Sequence, residues 1–480
     1  MTVLAIDQGT TSTRALVLED SGEATVTQII QHKQIYPKTH WVEHDPEELI
    51  TNILQCIEQS LSSYPDIKYM GIDNQGESCL AWHAETKQAL SPVIVWQDSR
   101  TQDVIDSLKK QGLDKITLDT AGLPLDPYFS ASKLGWIIQN IPEVQKALKQ
   151  SKLRLGTTDA FFLDRLTGKF VTDVTTASRT SLMNLTTLEW DKQLCELFNV
   201  PIEILPEIVP STGDFGTFHI NGKTITIRTS ICDQQASLFG HGCRKKGDIK
   251  ITFGTGAFAF AITGQSPILN SNSGLLPTPA WQLEKQQNLF ALDGGVYNAG
   301  AAINWAKSLG LFDTFDEINQ FSKNSAIEEG LVFVPALSGL ACPHWDRKAA
   351  GLWIGLSLGS TSLDMMQAVL EGVAFRSAEV IIAMQQESTI SDQISIDGGL
   401  SANPFFCQFL SNVLYKEITV SQFPEVTALG TAQLASGKYD KPQANDESKI
   451  HYLPKRDMRN FLNKFTHGVE YSKGWFETEK

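Results

Sequence analysis

The chain has 480 residues, 42% of them hydrophobic, with 54 acidic against 40 basic side chains and a net charge of −14. It is longer than a single hydrophobic core usually grows, so two domains are expected. The acidic balance excludes nucleic acid or an anionic membrane as the main partner, and no apolar run approaches the ~20 residues needed to cross a bilayer.

Seven dispersed cysteines without a Cys-x-x-Cys pair suit a reducing cytoplasm. The N-terminus enters a strand directly, without a basic region and apolar signal core, and this agrees with a cytoplasmic location.

Residues 3–18 place two runs of small and branched apolar residues around a polar turn, the pattern of a β-hairpin. Gly9 lets the turn close tightly, and Asp7, Thr10, Thr11 and Ser12 crowd one small surface. Hydroxyls and free backbone N–H groups hold phosphate oxygens, and a carboxylate holds a divalent cation; an ordinary turn explains the residues as well. Asp45-Pro46 is read as a helix N-cap followed by proline in the first turn, with Glu47 and Glu48 suiting the positive helix end. Val93 to Gln97 is read as a short buried strand.

Asp233 follows an apolar approach in Ile231-Cys-Asp-Gln-Gln-Ala-Ser237. A carboxylate there either accepts the proton of a substrate hydroxyl or caps a helix, and both can hold. Glycine and basic residues interrupt the pattern over 240–247, which places the boundary between domains 1–243 and 244–480.

The opening device recurs in residues 248–262, where strand-like residues run into Gly254-Thr255-Gly256 and out again. Gly9-Thr10 and Gly254-Thr255 occupy matching places, one near the start of each half. Two similar domains then offer two turns to one cleft, with nucleotide phosphates between them, as in ATPases built like actin. Thr361 to Asp364 forms a capping box before a helix over 365–384, and Ile394 to Gly399 reads as a strand ending in a glycine turn before a helix. Strands and helices alternate, so the class is α/β. The last 40 or so residues are charged and polar and are expected to pack peripherally.

Two motifs are decoys. Gly222-Lys223-Thr224 ends like a P-loop, but Gly216 lies one residue too far away and the flanks are strand-like. Gly254-Thr-Gly-Ala-Phe-Ala partly matches a dinucleotide fingerprint, yet it is followed by β-favouring residues rather than a helix.

Over nearly its whole length the chain resembles the FGGY family of carbohydrate kinases, and within it most closely the glycerol kinases. The motifs are Ala5-Ile-Asp-Gln-Gly-Thr-Thr-Ser12, Ile35-Tyr-Pro-Lys38 with Trp41-Val-Glu-His-Asp-Pro46, Val95-Trp-Gln97, and Asp126-Pro-Tyr-Phe-Ser130 with Lys133 and Trp136. They continue in Ala177-Ser-Arg-Thr180, Asp233-Gln-Gln-Ala236, Phe253-Gly-Thr-Gly256, Asp397-Gly-Gly399 and Val426-Thr-Ala-Leu-Gly430.

The resemblance implies two actin-like (ribonuclease H-like) domains flanking a central nucleotide and substrate cleft, and phosphoryl transfer from MgATP to a polyol or sugar hydroxyl. It implies Asp233 as catalytic base and Asp7 as the residue holding Mg²⁺. Thr10, Thr11, Ser12 and Arg14 would meet phosphates, with Thr255 on the facing hairpin. Gly300, Asn304, Gly399 and Asn403 match nucleotide positions, Asn304 standing where glycerol kinases have glutamine. Glu77, Trp96, Tyr128, Asp233, Gln234 and Phe258 match the polyol pocket. A homo-oligomer, favoured as a dimer, is expected.

The chain departs from the pattern at Gly76, where glycerol kinases carry a substrate-binding arginine. The loss removes up to five donors and a cation, about 1.5–3 kcal/mol of charged hydrogen bonding. Gly76 also leaves room for a longer substrate, or for an arginine from elsewhere. The glycine-rich loop that takes an allosteric sugar bisphosphate in some glycerol kinases is not evident in Ile220 to Ser230. Three functions follow: a glycerol kinase, a kinase for another short polyol or ketose, or an actin-like nucleotide-dependent scaffold, against which the matched substrate residues speak.

Overall fold

The computed structural model describes residues 1–269, 273–284, 286–322, 324–439 and 449–476. Among them, two large sheets repeat one plan. The first has six strands in the order Thr217–Ile220, Lys223–Cys232, Tyr69–Asn74, Val3–Gln8, Ser12–Leu18, Ala24–Gln31. The second has seven: Leu276–Trp281, Leu289–Val296, Ala257–Gly264, Ile249–Phe253, Gln393–Gly398, Glu417–Val420, Ile450–Tyr452.

In each sheet the leading strand of the half (Val3–Gln8, Ile249–Phe253) folds back through an antiparallel hairpin on one side and pairs in parallel with a later strand on the other. The duplication read from two turns therefore extends to whole sheets. The register sets Asp7 beside Asp73 on one neighbour and Arg14 on the other, and Asn74 beside Cys232. Asp7, Asp73 and Asp233 thus gather at the carboxyl ends of adjacent parallel strands, the edge where open α/β sheets bind ligands.

Local chemistry explains the helices that carry the sheets. Pro46–Ser63 starts at Asp45, whose Oδ1 accepts from Glu47 N at 2.9 Å, and it buries Leu49, Ile53 and Ile57 under the first sheet. Ser362–Glu387 begins with the expected Thr361–Asp364 capping box and is apolar on nearly every side because it is the buried centre of the second half.

The expected strand at 93–97 covers only Val93–Ile94. Ile394 to Gly398 belongs to the strand Gln393–Gly398, and Gly399 opens a short 3₁₀ turn before the helix Pro404–Leu414. Both decoys fail as expected. Gly222-Lys223-Thr224 lies in a hairpin closed by Asn221 and Gly222, both with left-handed φ, so no loop projects there. The residues after Gly256 form a strand.

The halves meet at two helices. Asp233–Gly240 crosses Val426–Ser436, which belongs to the second half by chain order but packs on the first sheet. A Cβ on Gly240 would lie 2.0 Å from Val426 O, and one on Gly430 2.0 Å from Ala236 O, so these glycines let backbone touch backbone.

The peripheral tail needs correction. Ile450–Tyr452 completes the second sheet, and Leu462–Ser472 buries Phe465 and Val469 in its core. A few apolar residues at helical spacing are enough to dock an otherwise polar helix. Residues 440–448 and 477–480 lie outside the described residues. Among the described residues, no helix is long and apolar enough to cross a membrane.

Candidate active site

The first hairpin turn closes through Gly9 N donating to Ser12 O at 3.0 Å. Thr10 links it to the neighbouring cavity: its hydroxyl accepts from Trp96 Nε1 at 3.1 Å while its carbonyl contacts the His32 ring. Thr11 is exposed, and the buried Ser12 hydroxyl has no hydrogen-bond partner. Arg14 reaches Asp7 at 3.3 Å and Glu425 at 3.3 Å, which holds its side chain near the first hairpin.

Asp7 and Asp73 are both buried, and Oδ1 of Asp73 has no partner. Burial, together with the Asp7 charge, holds the Asp73 carboxyl well above the usual carboxylate range. A pair of crowded buried carboxylates beside the first hairpin turn fits an oxygen-seeking divalent cation. Among the described residues no group of three or more His, Cys, Asp or Glu forms a complete metal cage.

On the facing side, Thr255 is exposed on its turn and its carbonyl accepts from Ala299 and Ala301 N–H. Gly300 opens the helix Gly300–Ser308, its N–H donating to Gly254 O at 3.0 Å; a Cβ there would lie 2.5 Å from that oxygen. Asn304 is exposed one turn further along the same helix. Gly399 is exposed, with open space where a Cβ would point. The neighbouring Gly398 is the conformationally committed glycine, with φ +86 and a would-be Cβ 2.3 Å from Phe253 O. The Asn403 amide is engaged within the fold: Oδ1 caps Phe406 N at 2.8 Å and Nδ2 donates to Ile318 O at 2.9 Å.

Beside the first turn lies a cavity of about 120 Å³. The expected pocket residues Glu77, Trp96, Tyr128, Asp233, Gln234 and Phe258 all line it. Trp96 and Tyr128 meet edge to face at 5.6 Å between ring centroids. The fully buried Lys133 binds their two segments together, donating to Tyr128 O at 2.8 Å and Val95 O at 3.5 Å. Gln234 is oriented by Lys250, whose Nζ donates to Gln234 Oε1 at 2.8 Å and Thr252 Oγ1 at 2.9 Å, leaving the amide NH₂ for a ligand.

Asp233 begins the helix Asp233–Gly240, and its Oδ1 accepts from Gln234 N at 2.7 Å and from Cys232 Sγ at 3.5 Å. Oδ2 has no hydrogen-bond partner among the described residues. Burial pushes the Asp233 carboxyl up to about 7, helped by the charges of Glu77 and Asp7. A base poised near neutrality is suited to accept a hydroxyl proton.

The space expected at Gly76 is not open. A Cβ there would lie 2.8 Å from Cys232 Sγ, so sulfur fills the place that a longer side chain would leave through. A guanidinium reaches Glu77 from Arg179, which follows the short helix Val174–Ser178 anchored by an Asp173 cap. Arg179 Nε lies 2.5 Å from Glu77 Oε1 and Nη2 lies 3.2 Å from Asp293 Oδ2. Glu77 therefore keeps a counter-charge, held in the left-handed region at φ +60.

Family models for the N-terminal and C-terminal domains of the FGGY family of carbohydrate kinases match residues 2–240 and 249–438. The chain belongs to the FGGY family. It is 38% identical to a glycerol kinase of Haloferax volcanii over 99% of this chain and 98% of that protein. It is 40% identical to one of Bdellovibrio bacteriovorus over 90% of each. The crystal structure of Plasmodium falciparum glycerol kinase with ADP superposes with a TM-score of 0.90 at 29% identity, covering 98% of both chains. A gluconate kinase from Lactobacillus acidophilus shares the fold, with a TM-score of 0.85 at 22% identity and coverage of 98% of this chain and 96% of that one. As a member of a carbohydrate kinase family, the chain is an enzyme of phosphoryl transfer, and the scaffold reading is set aside.

Sequence reading missed Asp73, Cys232, Lys250 and Asp293 as site residues, and gave Arg179 no role beyond its motif. A signal existed for three of them, Asp293 ending the run Leu289-Phe-Ala-Leu292 before a Gly pair. Asp73 ends an apolar run just as Asp7 does, and Lys250 is a lone charge inside an apolar strand.

Proposed function

We propose that this enzyme phosphorylates a small polyol with ATP and Mg²⁺, and that the acceptor is glycerol, giving glycerol 3-phosphate. The observation that carries the reading is the free oxygen of Asp233 in a small cavity lined by aromatic rings and polar side chains, directly beside the first hairpin turn. Pockets for drug-sized ligands run from about 300 Å³ upward, so a cavity of about 120 Å³ favours a three-carbon acceptor over a hexose. The carbon face of the polyol would lie against Trp96, Tyr128 and Phe258. Its hydroxyls would meet Glu77, Gln234 and Asp233.

In the reaction, Asp233 Oδ2 accepts the proton of the attacking hydroxyl as that oxygen bonds to the γ-phosphorus and the bond to the bridging oxygen of ADP breaks. Thr10, Thr11, Ser12, Arg14 and Thr255 hold phosphate oxygens, and Gly300, Asn304 and Gly399 offer surface to the nucleoside; the backbone around Asn403 borders the same face. Asp7, backed by Asp73, would hold Mg²⁺, which neutralises charge on the phosphates when bound. The two domains, 1–243 and 244–480, supply the two hairpins.

A cytoplasmic location is supported by seven buried cysteines that all carry free thiols. A homodimer is proposed on the resemblance alone and is checked by light scattering. The functional test is ADP release with a panel of glycerol, tetritols, pentitols and ketoses. Glycerol should have the highest kcat/KM; a pentulose outperforming it tenfold would refute glycerol as the acceptor.

A further inference from the structure

The acceptor cavity contains a buried donor and a buried acceptor that the fold leaves unmatched. Arg179 uses Nε on Glu77 and Nη2 on Asp293, but Nη1 has no hydrogen-bond partner. Asp293 uses Oδ2 on Arg179, and its Oδ1 has none. Each residue is only 4% exposed, and both line the same cavity as Asp233. Buried polar atoms are rarely left unpaired, and such atoms in a ligand cavity mark where the ligand supplies the partner.

We propose that Arg179 and Asp293 are the specificity pair for the acceptor, gripping the hydroxyl beyond the one that reacts. Arg179 Nη1 donates to that hydroxyl oxygen and Asp293 Oδ1 accepts its proton, or that of the adjacent hydroxyl. Gly76 supplies no guanidinium to this cavity and Cys232 Sγ occupies the room beside it, so Arg179 is the arginine that lines the cavity.

The pair also sets the ligand class. Glu77 and Asp293 pair with the one guanidinium, the Asp233 carboxyl lines the same cavity, and Lys250 is already engaged by Gln234 and Thr252. An anionic acceptor is repelled there, and a neutral diol unit satisfies both orphaned atoms. Arg179 comes from the first half and Asp293 from the strand Leu289–Val296 of the second, so the grip spans the cleft. The proposal rests on the polyol kinase reading above.

The test compares wild type, Asp293→Asn and Arg179→Lys on glycerol, 1,2-propanediol and 1,3-propanediol, with ADP binding and melting temperature as controls. Wild type should lose roughly ten- to a hundredfold in kcat/KM on the diol that lacks the gripped hydroxyl. Each variant should lose a similar factor on glycerol but little on that diol, so the preference collapses while ADP affinity is kept. A proportional loss on all three acceptors means that Arg179 is only a strut between the halves, and overturns the proposal. Asp293→Asn keeps the side-chain shape and leaves Arg179 paired with Glu77, so it carries the test if Arg179→Lys fails to fold. If glycerol is refused but a longer polyol is accepted, the glycerol reading falls, and that polyol with its deoxy analogues decides the proposal in the same way. Acceptance of a hydroxy acid alone overturns it.

Discussion

Restoring an arginine at position 76 should damage this enzyme while Cys232 is present. The new Cβ would lie 2.8 Å from Cys232 Sγ and 3.7 Å from Arg179 Cγ. Non-bonded heavy atoms rest at about 3.5–4.0 Å, so the sulfur must move, and it sits on the residue that precedes the base. Overpacking of this kind costs about 1–3 kcal/mol. If that cost falls on the catalytic geometry, kcat/KM for glycerol drops roughly five- to a hundredfold. A second guanidinium would also compete with Arg179 for Glu77. Removing the sulfur should undo most of this: Gly76→Arg combined with Cys232→Gly should recover activity beyond the sum of the single effects, with a coupling of about 1 kcal/mol or more. The assay is ADP release across glycerol concentrations for the parent, both single variants and the double variant, with melting curves to confirm folding. A Gly76→Arg single variant with unchanged or improved kcat/KM would show that the site tolerates the side chain and would refute the packing argument.

The raised Asp233 carboxyl predicts a pH limb. Because its proton is held up to about 7, the base is lost as pH falls through that value. The acceptor kcat/KM of the free enzyme should therefore rise from about pH 6 to pH 8, and a flat profile over that range would exclude Asp233 as the titrating base. Asp233→Asn should lower turnover about 10²–10⁴-fold and abolish that limb while ADP still binds. Gly398→Ala should lower the melting temperature, since its left-handed φ costs about 1–2 kcal/mol with a side chain and the Cβ meets Phe253 O at 2.3 Å. Gly399→Ala, with nothing near its Cβ, should melt like the parent; equal melting of the two variants would count against the geometry.

Features governed by a few consecutive residues were readable from the sequence alone. Apolar runs around Gly9-Thr10 and Gly254-Thr255 specify hairpins, and Asp45-Pro46 and Thr361–Asp364 specify helix starts, because turns and caps are satisfied by neighbours in the chain. The resemblance to the family points to six pocket residues, and the cavity contains all six.

The tertiary structure decided how the pocket is completed. Glu77 and Arg179 are 102 residues apart, and Thr431 donates to Asp73 across 358 residues. Such pairs form only after sheets and helices from distant segments have docked, and nothing in the local pattern records them. The same holds for Gly76: an absent side chain reads as empty space in a sequence. In the fold, close packing hands that space to a neighbour, here the sulfur of Cys232, while Arg179 reaches Glu77 from just beyond the short helix Val174–Ser178.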